Sequence, residues 1–161
     1  MKKILLSSIA ALTLFACNQK KETNDNLEKY NKNLVVAKQF YEAFTTKDST
    51  KEASLLSDDF KWNGPSIGQD SLSKEILMNG DKQVMINYSE IKFINADYYP
   101  GVDTTNKISS EVRVYATCSF KSVASGKTSK TKYYAVFGFN DAGKINELTE
   151  IYNLEDMKKE L

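Results

Sequence analysis

The sequence contains no histidine among its 161 residues. This absence excludes a Ser-His-Asp or Cys-His nucleophile, a histidine-bearing zinc site and a His-Asp dyad. Proline occurs twice and glycine seven times, which excludes collagen-like sequence. Lysine plus arginine (22) and aspartate plus glutamate (21) nearly cancel to a net charge of +1, so nothing electrostatic favours nucleic acid as a partner. Hydrophobic residues at 41% and charged residues at 27% are typical of a globular domain.

Long hydrophobic runs are also scarce, and the clearest one lies at the N-terminus. The basic start Met1–Lys3 precedes thirteen mainly apolar residues, Ile4–Ala16. This length is too short to cross a bilayer as a helix but is typical of a secretory signal. The run ends Leu14-Phe15-Ala16-Cys17, which resembles a bacterial lipobox.

The lipobox resemblance implies that residues 1–16 are a lipoprotein signal peptide and that Cys17 carries three acyl chains after cleavage. Each buried methylene contributes about 0.8 kcal/mol, so several chains would hold the protein at a lipid bilayer. The expected location is the periplasmic or cell-surface side of a bacterial membrane, with the leaflet left open. The alternative is an ordinary signal peptide that happens to contain a cysteine.

Cleavage would leave 20 basic and 21 acidic residues, a net charge of −1. A lipidated Cys17 leaves Cys118 without a disulfide partner, and its apolar-alternating surroundings indicate a small buried side chain rather than a reactive thiol. Residues 18–26 contain no apolar side chain. We therefore expect a flexible tether over residues 17–26 and one folded domain over residues 27–161.

Helices are predicted before strands. Asn24 or Asp25 can cap the first helix, which starts near Asp25 or only near Leu34 and ends around residues 46–48. Its apolar stripe has three- and four-residue spacing and consists of Leu27, Tyr30, Leu34, Ala37, Tyr41 and Phe44. Asp48 can cap a second helix over residues 51–56.

A short strand is predicted over residues 60–63, and a third helix over residues 72–78 that ends at Asn79-Gly80. From residue 87 the apolar pattern has a period of two. Four strands are predicted over residues 91–97, 112–121, 133–139 and 144–153, with turns at 100–103, 125–127 and 140–143. Helices followed by an antiparallel meander define an α+β fold.

This order resembles the nuclear transport factor 2-like fold, also called the SnoaL-like or ketosteroid-isomerase-like cone. The resemblance covers roughly residues 34–153, and its matching pieces are residues 35–48, 55–62 and 137–145. It implies N-terminal helices packed in a curved four-strand antiparallel sheet, a cone-shaped, cystatin-like superfold with a pocket at its open end. Another helix-plus-meander fold, such as a true cystatin-like one, is the alternative.

The same resemblance bears on catalysis. In the isomerase branch, a tyrosine on the first helix holds an oxyanion and an aspartate after the first short strand is the base. When the match is counted back from Asp48, Phe40 and Gly64 occupy these positions, while Tyr41 lies about 100° around the helix from Phe40. The dehydratase branch relies on histidine. The resemblance therefore favours a noncatalytic domain.

The implied pocket is apolar and suits a small hydrophobic ligand. Trp62, the only tryptophan, lies on a strand face that looks into the cavity in this family. Ordinary core packing is the alternative for every residue of the expected wall. The expected ligand-binding residues are Phe40, Tyr41, Phe44, Phe60, Trp62, Phe93, Cys118 and Phe137. No metal or cofactor is expected, because no Asp-x-Asp-x-Asp-Gly loop occurs.

Charged residues offer few catalytic candidates. Asp97 shares a predicted strand face with Phe93 and is a weak candidate for a semi-buried base. Asp58 and Asp59 are expected in a solvated turn. Glu147 and Glu150 lie on opposite faces of the last strand, so they cannot both line one cavity.

Arg113, the only arginine, is expected on the outer face of the sheet, in an ion pair or a dimer interface. Three hypotheses follow. The domain binds a small apolar ligand or a partner protein; its outer sheet face, with Tyr115 and Thr117, forms a homodimer; or it is an isomerase or lyase that uses Asp97 or Tyr41.

Overall fold

The computed structural model describes residues 25–159. Helix α1 occupies residues 25–45 of this part. It is followed by α2 (Ser49–Leu55), β1 (Leu56–Asn63), β2 (Leu72–Ser73) and α3 (Lys74–Asn87). The remaining elements are β3 (Tyr88–Val102), β4 (Ile108–Ser122), β5 (Thr128–Phe139), β6 (Ile145–Tyr152) and α4 (Leu154–Lys158).

Helix α1 confirms most of its predicted apolar stripe, since Tyr30, Ala37, Tyr41 and Phe44 are all buried. Leu34 is half-buried, and Leu27, in the first turn, is exposed. Its start lies well before Leu34. The side chain of Asn33 donates a hydrogen bond to the carbonyl of Ser110 (2.9 Å), and that of Asn26 donates to the carbonyl of Ile108 (2.9 Å). Two asparagines that weaken a free helix therefore anchor α1 to strand β4.

The end of the expected tether is helical, because residues 25 and 26 belong to α1. The rest of the tether, the expected signal peptide and Cys17 lie outside the described residues. Helix α2 has the predicted N-cap: Asp48 accepts a hydrogen bond from the backbone N–H of Lys51 (2.9 Å). The helix runs over Ser49–Leu55 instead of the predicted 51–56.

Helix α3 differs from the prediction at both ends. Leu72 and Ser73, expected in the helix, form strand β2. The helix then runs through Asn79 and Gly80 to Asn87. A glycine inside a helix costs about 1 kcal/mol relative to alanine, but Leu77 and Met85 are buried on either side of Gly80. Packing of this longer apolar face offsets the cost of the glycine.

The sheet has six strands in the order β2-β1-β6-β5-β4-β3, so the expected number of four is wrong. The four predicted strands, β3 to β6, do form an antiparallel meander. Strand β1 starts at Leu56 and lies parallel to β6, with Trp62 opposite Leu148. Asp58 and Asp59 are exposed residues of β1 rather than parts of a turn. Neighbours that are so distant in sequence leave no local signal of their pairing.

Strands β3 and β4 are longer than predicted. Pro100 pairs with Val112 inside the sheet, so the turn expected at residues 100–103 is misplaced. The chain reverses over residues 103–107 instead, where Asp103 Oδ1 accepts hydrogen bonds from the backbone N–H groups of Thr105 (2.8 Å) and Lys107 (3.0 Å).

The inner sheet face and the helices enclose the core. Val112, Val114, Phe137 and Leu148 have no exposed surface. Cys118 is a free, buried thiol, as predicted. Among the described residues, the helices are too short or too polar to cross a bilayer.

Candidate functional site

A cavity of about 250 Å³ lies between the inner face of the sheet and the helices α1, α3 and α4. Its wall is mainly aromatic and aliphatic. Six of the eight expected ligand-binding residues line it: Phe40, Tyr41, Phe44, Trp62, Phe93 and Cys118. The rings pack closely, with centroids of Tyr41 and Phe93 4.2 Å apart.

The other two expected wall residues are core residues. Phe60 is 2% exposed and Phe137 is 0% exposed, and neither contributes to the lining of the cavity. Phe137 lies behind α1, where its ring packs edge-on against Phe40 (5.7 Å) and Tyr41 (5.4 Å). These two phenylalanines support the wall without forming it.

Glu150 brings a carboxyl group to this apolar wall. It lies on β6 opposite Ala135 of β5, on the inner sheet face. The indole N–H of Trp62 donates a hydrogen bond to Oε2 of Glu150 (2.8 Å), and the hydroxyl of Tyr133 donates one to Oε1 (2.5 Å). Glu147 points to the outer face, where its Oε1 accepts a hydrogen bond from Asn63 (2.9 Å). The two glutamates lie on opposite faces, as predicted.

The hydrogen bonds continue to helix α1. The hydroxyl of Tyr41 donates to the hydroxyl of Tyr133 (3.0 Å), which in turn donates to Glu150. Tyr41 thus reaches the cavity although its neighbour Phe40 lines the cavity too. The resulting chain links Tyr41, Tyr133, Glu150 and Trp62 from four different elements and orients the Glu150 carboxyl group.

A second pair of carboxyl groups lies beside the first. Asp81 on α3 lines the cavity. Behind it, Glu52 on α2 is 0% exposed, and neither of its carboxyl oxygens accepts a hydrogen bond from an N–H or O–H donor. The group that faces Glu52 is the Asp81 carboxyl. Two carboxyl groups can form a hydrogen bond only when one of them carries a proton, so a protonated Asp81 would supply the donor that Glu52 lacks.

Burial is the first cause of the raised pKa of every carboxyl group in this cluster. It raises the pKa of Glu52 to about 7. The pKa of Asp81 lies well above its ordinary value because of burial and then because of the charges of Glu52 and Glu150. Burial also raises the pKa of Glu150, although the hydrogen bonds from Tyr133 and Trp62 oppose this shift. Glu52, behind the cavity wall, therefore exchanges its proton near neutral pH, and the two carboxyl groups in the lining keep their protons to a higher pH than exposed carboxyl groups do.

The wall is mainly apolar, as the resemblance implies, but it also contains carboxyl groups that were not expected there. Phe40 and Gly64 stand where the isomerase branch has its tyrosine and its aspartate, which predicts that this pair is missing. Gly64 lies in the loop after β1 and does not line the cavity. The acidic groups enter from α3 and β6 instead. The carboxyl groups of residues 25–159 do not come together in a geometry that could hold a metal ion.

Asp97 does not reach the cavity. Asn95 has a positive φ of 52°, and the β3–β4 register shifts between Ile94 and Asp97. Because this bulge inserts one residue, Asp97 turns to the outer face, where it is exposed and pairs with Tyr115. Arg113 is on the outer face as predicted, with its guanidinium 3.8 Å from Glu111.

Sequence reasoning missed Glu52 and Asp81 and set Glu150 aside. A signal existed for Asp81: it follows Leu77 by four residues and would share a helix face with it, had the helix been extended past Gly80. Glu150 alternates with Leu148 on the buried face of the last strand. No sequence signal identified Glu52, since buried glutamates are rare.

No family model and no curated protein matches this chain. Solved structures do match. A protein from Bacillus subtilis, provisionally assigned as an isomerase, is 16% identical with a TM-score of 0.68, covering 82% of this chain and 94% of that one. A polyketide cyclase, also provisionally assigned, from Pseudomonas putida is 20% identical with a TM-score of 0.63, covering 78% and 95%.

An NTF2-like protein of unknown function from Burkholderia pseudomallei is 16% identical with a TM-score of 0.63, covering 80% of this chain and 96% of that one. These similarities show the fold: the chain has the NTF2-like, or SnoaL-like, cone. The fold hosts many functions, so the function rests on the cavity itself.

Proposed function

We propose that this chain binds one small, mainly apolar molecule in the cavity of its cone, and that acylated Cys17 tethers it to a bacterial membrane. The cavity carries the binding proposal: about 250 Å³ walled by aromatic rings, with a few oriented polar groups at one place. Ligand sites have this composition, because apolar walls supply affinity and few polar groups supply orientation.

Trp62 provides the assay, since the only tryptophan of the chain lines the cavity. Titration with 4-phenylbutan-1-ol is expected to change its fluorescence and to saturate. Val84→Phe, which adds volume at the cavity wall, is expected to abolish the change. Val123→Phe is the control, because Val123 is 60% exposed. The same saturable change in Trp62 fluorescence in both variants would contradict binding in the cavity.

The membrane tether is supported by the lipobox-like Leu14-Phe15-Ala16-Cys17 after a short apolar run. In a bacterial host, the wild-type chain is expected in the membrane fraction, with the mass of a cleaved, triacylated protein. Cys17→Ser is expected to lose both properties. A Cys17→Ser protein that keeps the membrane association and the mass shift would overturn the proposal.

Acid–base conversion of the bound molecule is the second candidate function. The observation that favours it is the pair Asp81 and Glu150, two carboxyl groups with raised pKa values that line the cavity. Proton transfer next to a carbonyl requires a base and a donor beside it, and two neighbouring carboxyl groups can supply both. Phe40 and Gly64 led us to expect a noncatalytic domain, but we do not propose that role here.

Isomerisation of cyclohex-3-en-1-one to its conjugated isomer tests this candidate, because the product absorbs in the ultraviolet. The wild type is expected to exceed the buffer rate, and Glu150→Gln and Asp81→Asn are expected to lose the excess. Asp97→Asn is the control, since Asp97 is exposed on the outer face. A rate equal to buffer for the wild type removes isomerisation of this class of ketone.

The homodimer also remains a proposal, supported by an aromatic patch on the outer sheet face. Tyr115 is 49% exposed and packs between Tyr99 (6.0 Å) and Tyr134 (4.7 Å). Asp97 and Lys132 give this face both signs of charge, so a second copy would complement it. Sedimentation of the Cys17→Ser protein tests the dimer: Tyr115→Asp should give a monomer, and the exposed Val123→Asp should not. A monomeric Cys17→Ser parent would overturn the dimer.

A further inference from the structure

The polar end of the cavity has a single sign of charge. Its ionisable groups are the carboxyl groups of Asp81 and Glu150, with Glu52 directly behind Asp81. The only cationic residue of the lining is Lys158 of α4, which is exposed to solvent. Lys74 and Lys47 of neighbouring elements donate to backbone carbonyls, those of Leu56 (3.2 Å) and Tyr88 (2.6 Å). None of these three lysines pairs with the carboxyl group of Asp81, Glu150 or Glu52.

Three hydrogen-bond donors at this end are already engaged. The indole of Trp62 and the hydroxyl of Tyr133 both donate to Glu150, and the hydroxyl of Tyr41 donates to Tyr133. The carboxyl oxygens remain as acceptors, and the two of Glu52 have no N–H or O–H donor at all. Buried polar groups are normally satisfied. The cluster therefore lacks a hydrogen-bond donor with a positive charge.

Aromatic rings surround the same space. Tyr41, Phe93 and Tyr133 pack with centroids 4.2 to 6.0 Å apart, and Trp62 and Tyr152 complete the wall around Glu150. The faces of such rings attract cations, most strongly where water is excluded. Carboxyl groups within an aromatic wall are the combination that recognises an ammonium group.

We propose that the molecule bound in this cavity is an apolar amine, whose protonated nitrogen lies against Asp81 and Glu150 while its hydrocarbon body fills the aromatic part of the cavity. This inference rests on the proposed function and specifies its ligand class. The nitrogen would donate to the carboxyl oxygens of Asp81 and Glu150, and its positive charge would favour the ionised form of both groups. Binding is therefore coupled to proton release.

The direction of the pH effect separates an amine from a neutral ligand. Three groups face the nitrogen: Asp81 of α3, Glu150 of β6 and Tyr133 of β5. Glu52 of α2 lies behind Asp81. The other titratable groups around the site are Tyr41 of α1, Tyr152 of β6 and Cys118 of β4. The tyrosines and the cysteine stay neutral, because burial raises the pKa of each above its ordinary value. Affinity for an amine rises with pH as the carboxyl groups ionise. Affinity for a ketone, which needs a protonated carboxyl group, falls.

Three probes of equal length test the inference on the Cys17→Ser chain: 4-phenylbutylamine, 4-phenylbutan-1-ol and 4-phenylbutyrate, titrated against Trp62 fluorescence at pH 5.5 and 8. At pH 8 the amine should bind about tenfold or more tightly than the alcohol, as expected for a charge-assisted hydrogen bond. The carboxylate should bind most weakly. The amine affinity should rise between pH 5.5 and 8, and the alcohol affinity should stay constant.

Variants locate the effect. Asp81→Asn and Glu150→Gln should each reduce the preference for the amine over the alcohol to about threefold or less, while Asp97→Asn should retain it. Calorimetry of amine binding in two buffers at pH 7 should show proton release, a readout that does not depend on the variants folding.

The remaining outcomes separate failure of the amine inference from failure of the binding function. An alcohol that binds as tightly as the amine at both pH values overturns the amine inference and leaves the binding function intact. An amine preference that survives in both cavity variants places the amine elsewhere and also overturns it. If no probe binds, the proposed binding function fails and the inference fails with it.

Discussion

Gly64 lies against the indole ring of Trp62. A Cβ at residue 64 would lie 3.0 Å from Cζ2 of Trp62 and 2.6 Å from Oε1 of Gln69. The backbone N–H of Gly64 also donates to the carbonyl of Gln69 (2.7 Å), closing the loop after β1 over the indole. The absence of a side chain at this position is therefore part of how Trp62 is held against Glu150.

Gly64→Ala is accordingly expected to displace the Trp62 indole or open the loop. Overpacking of this kind costs about 1 kcal/mol or more. Urea unfolding should show the loss of stability, and the emission of Trp62 in the native state should change. Gly80→Ala is the matched control: apart from the neighbouring residues and the backbone of helix α3 itself, no heavy atom lies within 4 Å of the added Cβ, so it should stabilise by about 0.5–1 kcal/mol. Unchanged stability and emission in Gly64→Ala would contradict this role.

Tyr133→Phe should destabilise the protein by about 1–3 kcal/mol, because it leaves one oxygen of the half-buried Glu150 without its donor and the buried Tyr41 without its acceptor. The loss of that donor should also raise the pKa of Glu150 further, because the hydrogen bond from Tyr133 lowers it. Chemical denaturation at pH 8 gives the first quantity. Tyr134→Phe, on the outer face of the same strand, is the control. If Tyr134→Phe lost as much stability as Tyr133→Phe, the hydrogen-bond chain would be unimportant.

The Glu52–Asp81 pair should make stability depend on pH. A carboxyl group whose pKa is higher in the folded than in the unfolded chain binds more protons when folded, so stability is full below about pH 4.5 and is lost as pH rises through 7. The shift of Glu52 from 4.5 to about 7 corresponds to roughly 3 kcal/mol between pH 5 and pH 8. Thermal or urea unfolding at both pH values measures it.

Glu52→Gln provides the variant for that measurement. The amide can donate a hydrogen bond to Asp81 without a shared proton, so the difference in unfolding free energy between pH 5 and pH 8 should shrink and the variant should be the more stable protein at pH 8. Glu42→Gln, an exposed change on α1, should leave the difference unchanged. If the wild type were more stable at pH 8 than at pH 5, the idea that Glu52 and Asp81 hold a proton between them in the folded protein would be refuted.

The helices show what could be predicted from local pattern. The three- and four-residue spacing of Leu27 to Phe44 placed α1, and the capping chemistry of Asp48 placed α2, because both signals lie within a few residues of each other. The end assigned at Gly80 was wrong because packing around Leu77 and Met85 outweighs one glycine. That error removed Asp81 from consideration and, with it, the acidic character of the cavity.

The sheet shows what local pattern does not contain. The period of two located β3 to β6, but the parallel pairing of Trp62 with Leu148 depends on contacts between distant segments. Trp62 was expected at the cavity wall, and its position opposite Leu148 is what brings its indole to Glu150, two residues further along β6. Part of the candidate site was thus predictable residue by residue, whereas the meeting of Glu52, Asp81 and Glu150 arises only from the fold.

Asp97 was assigned to the inner sheet face by strict alternation, but the bulge at Asn95 inserts one residue and turns it to the outer face. Asn95 has φ of 52°, a conformation that asparagine and glycine tolerate and β-branched residues do not. Asn95→Gly should therefore be near neutral, and Asn95→Val should cost about 1–2 kcal/mol. Denaturant titration measures both. The exposed β3 position Lys92→Val, outside the bulge, is the control. If Asn95→Val were no more costly than Lys92→Val, the bulge would not require its left-handed residue, and the outward position of Asp97 would need another cause.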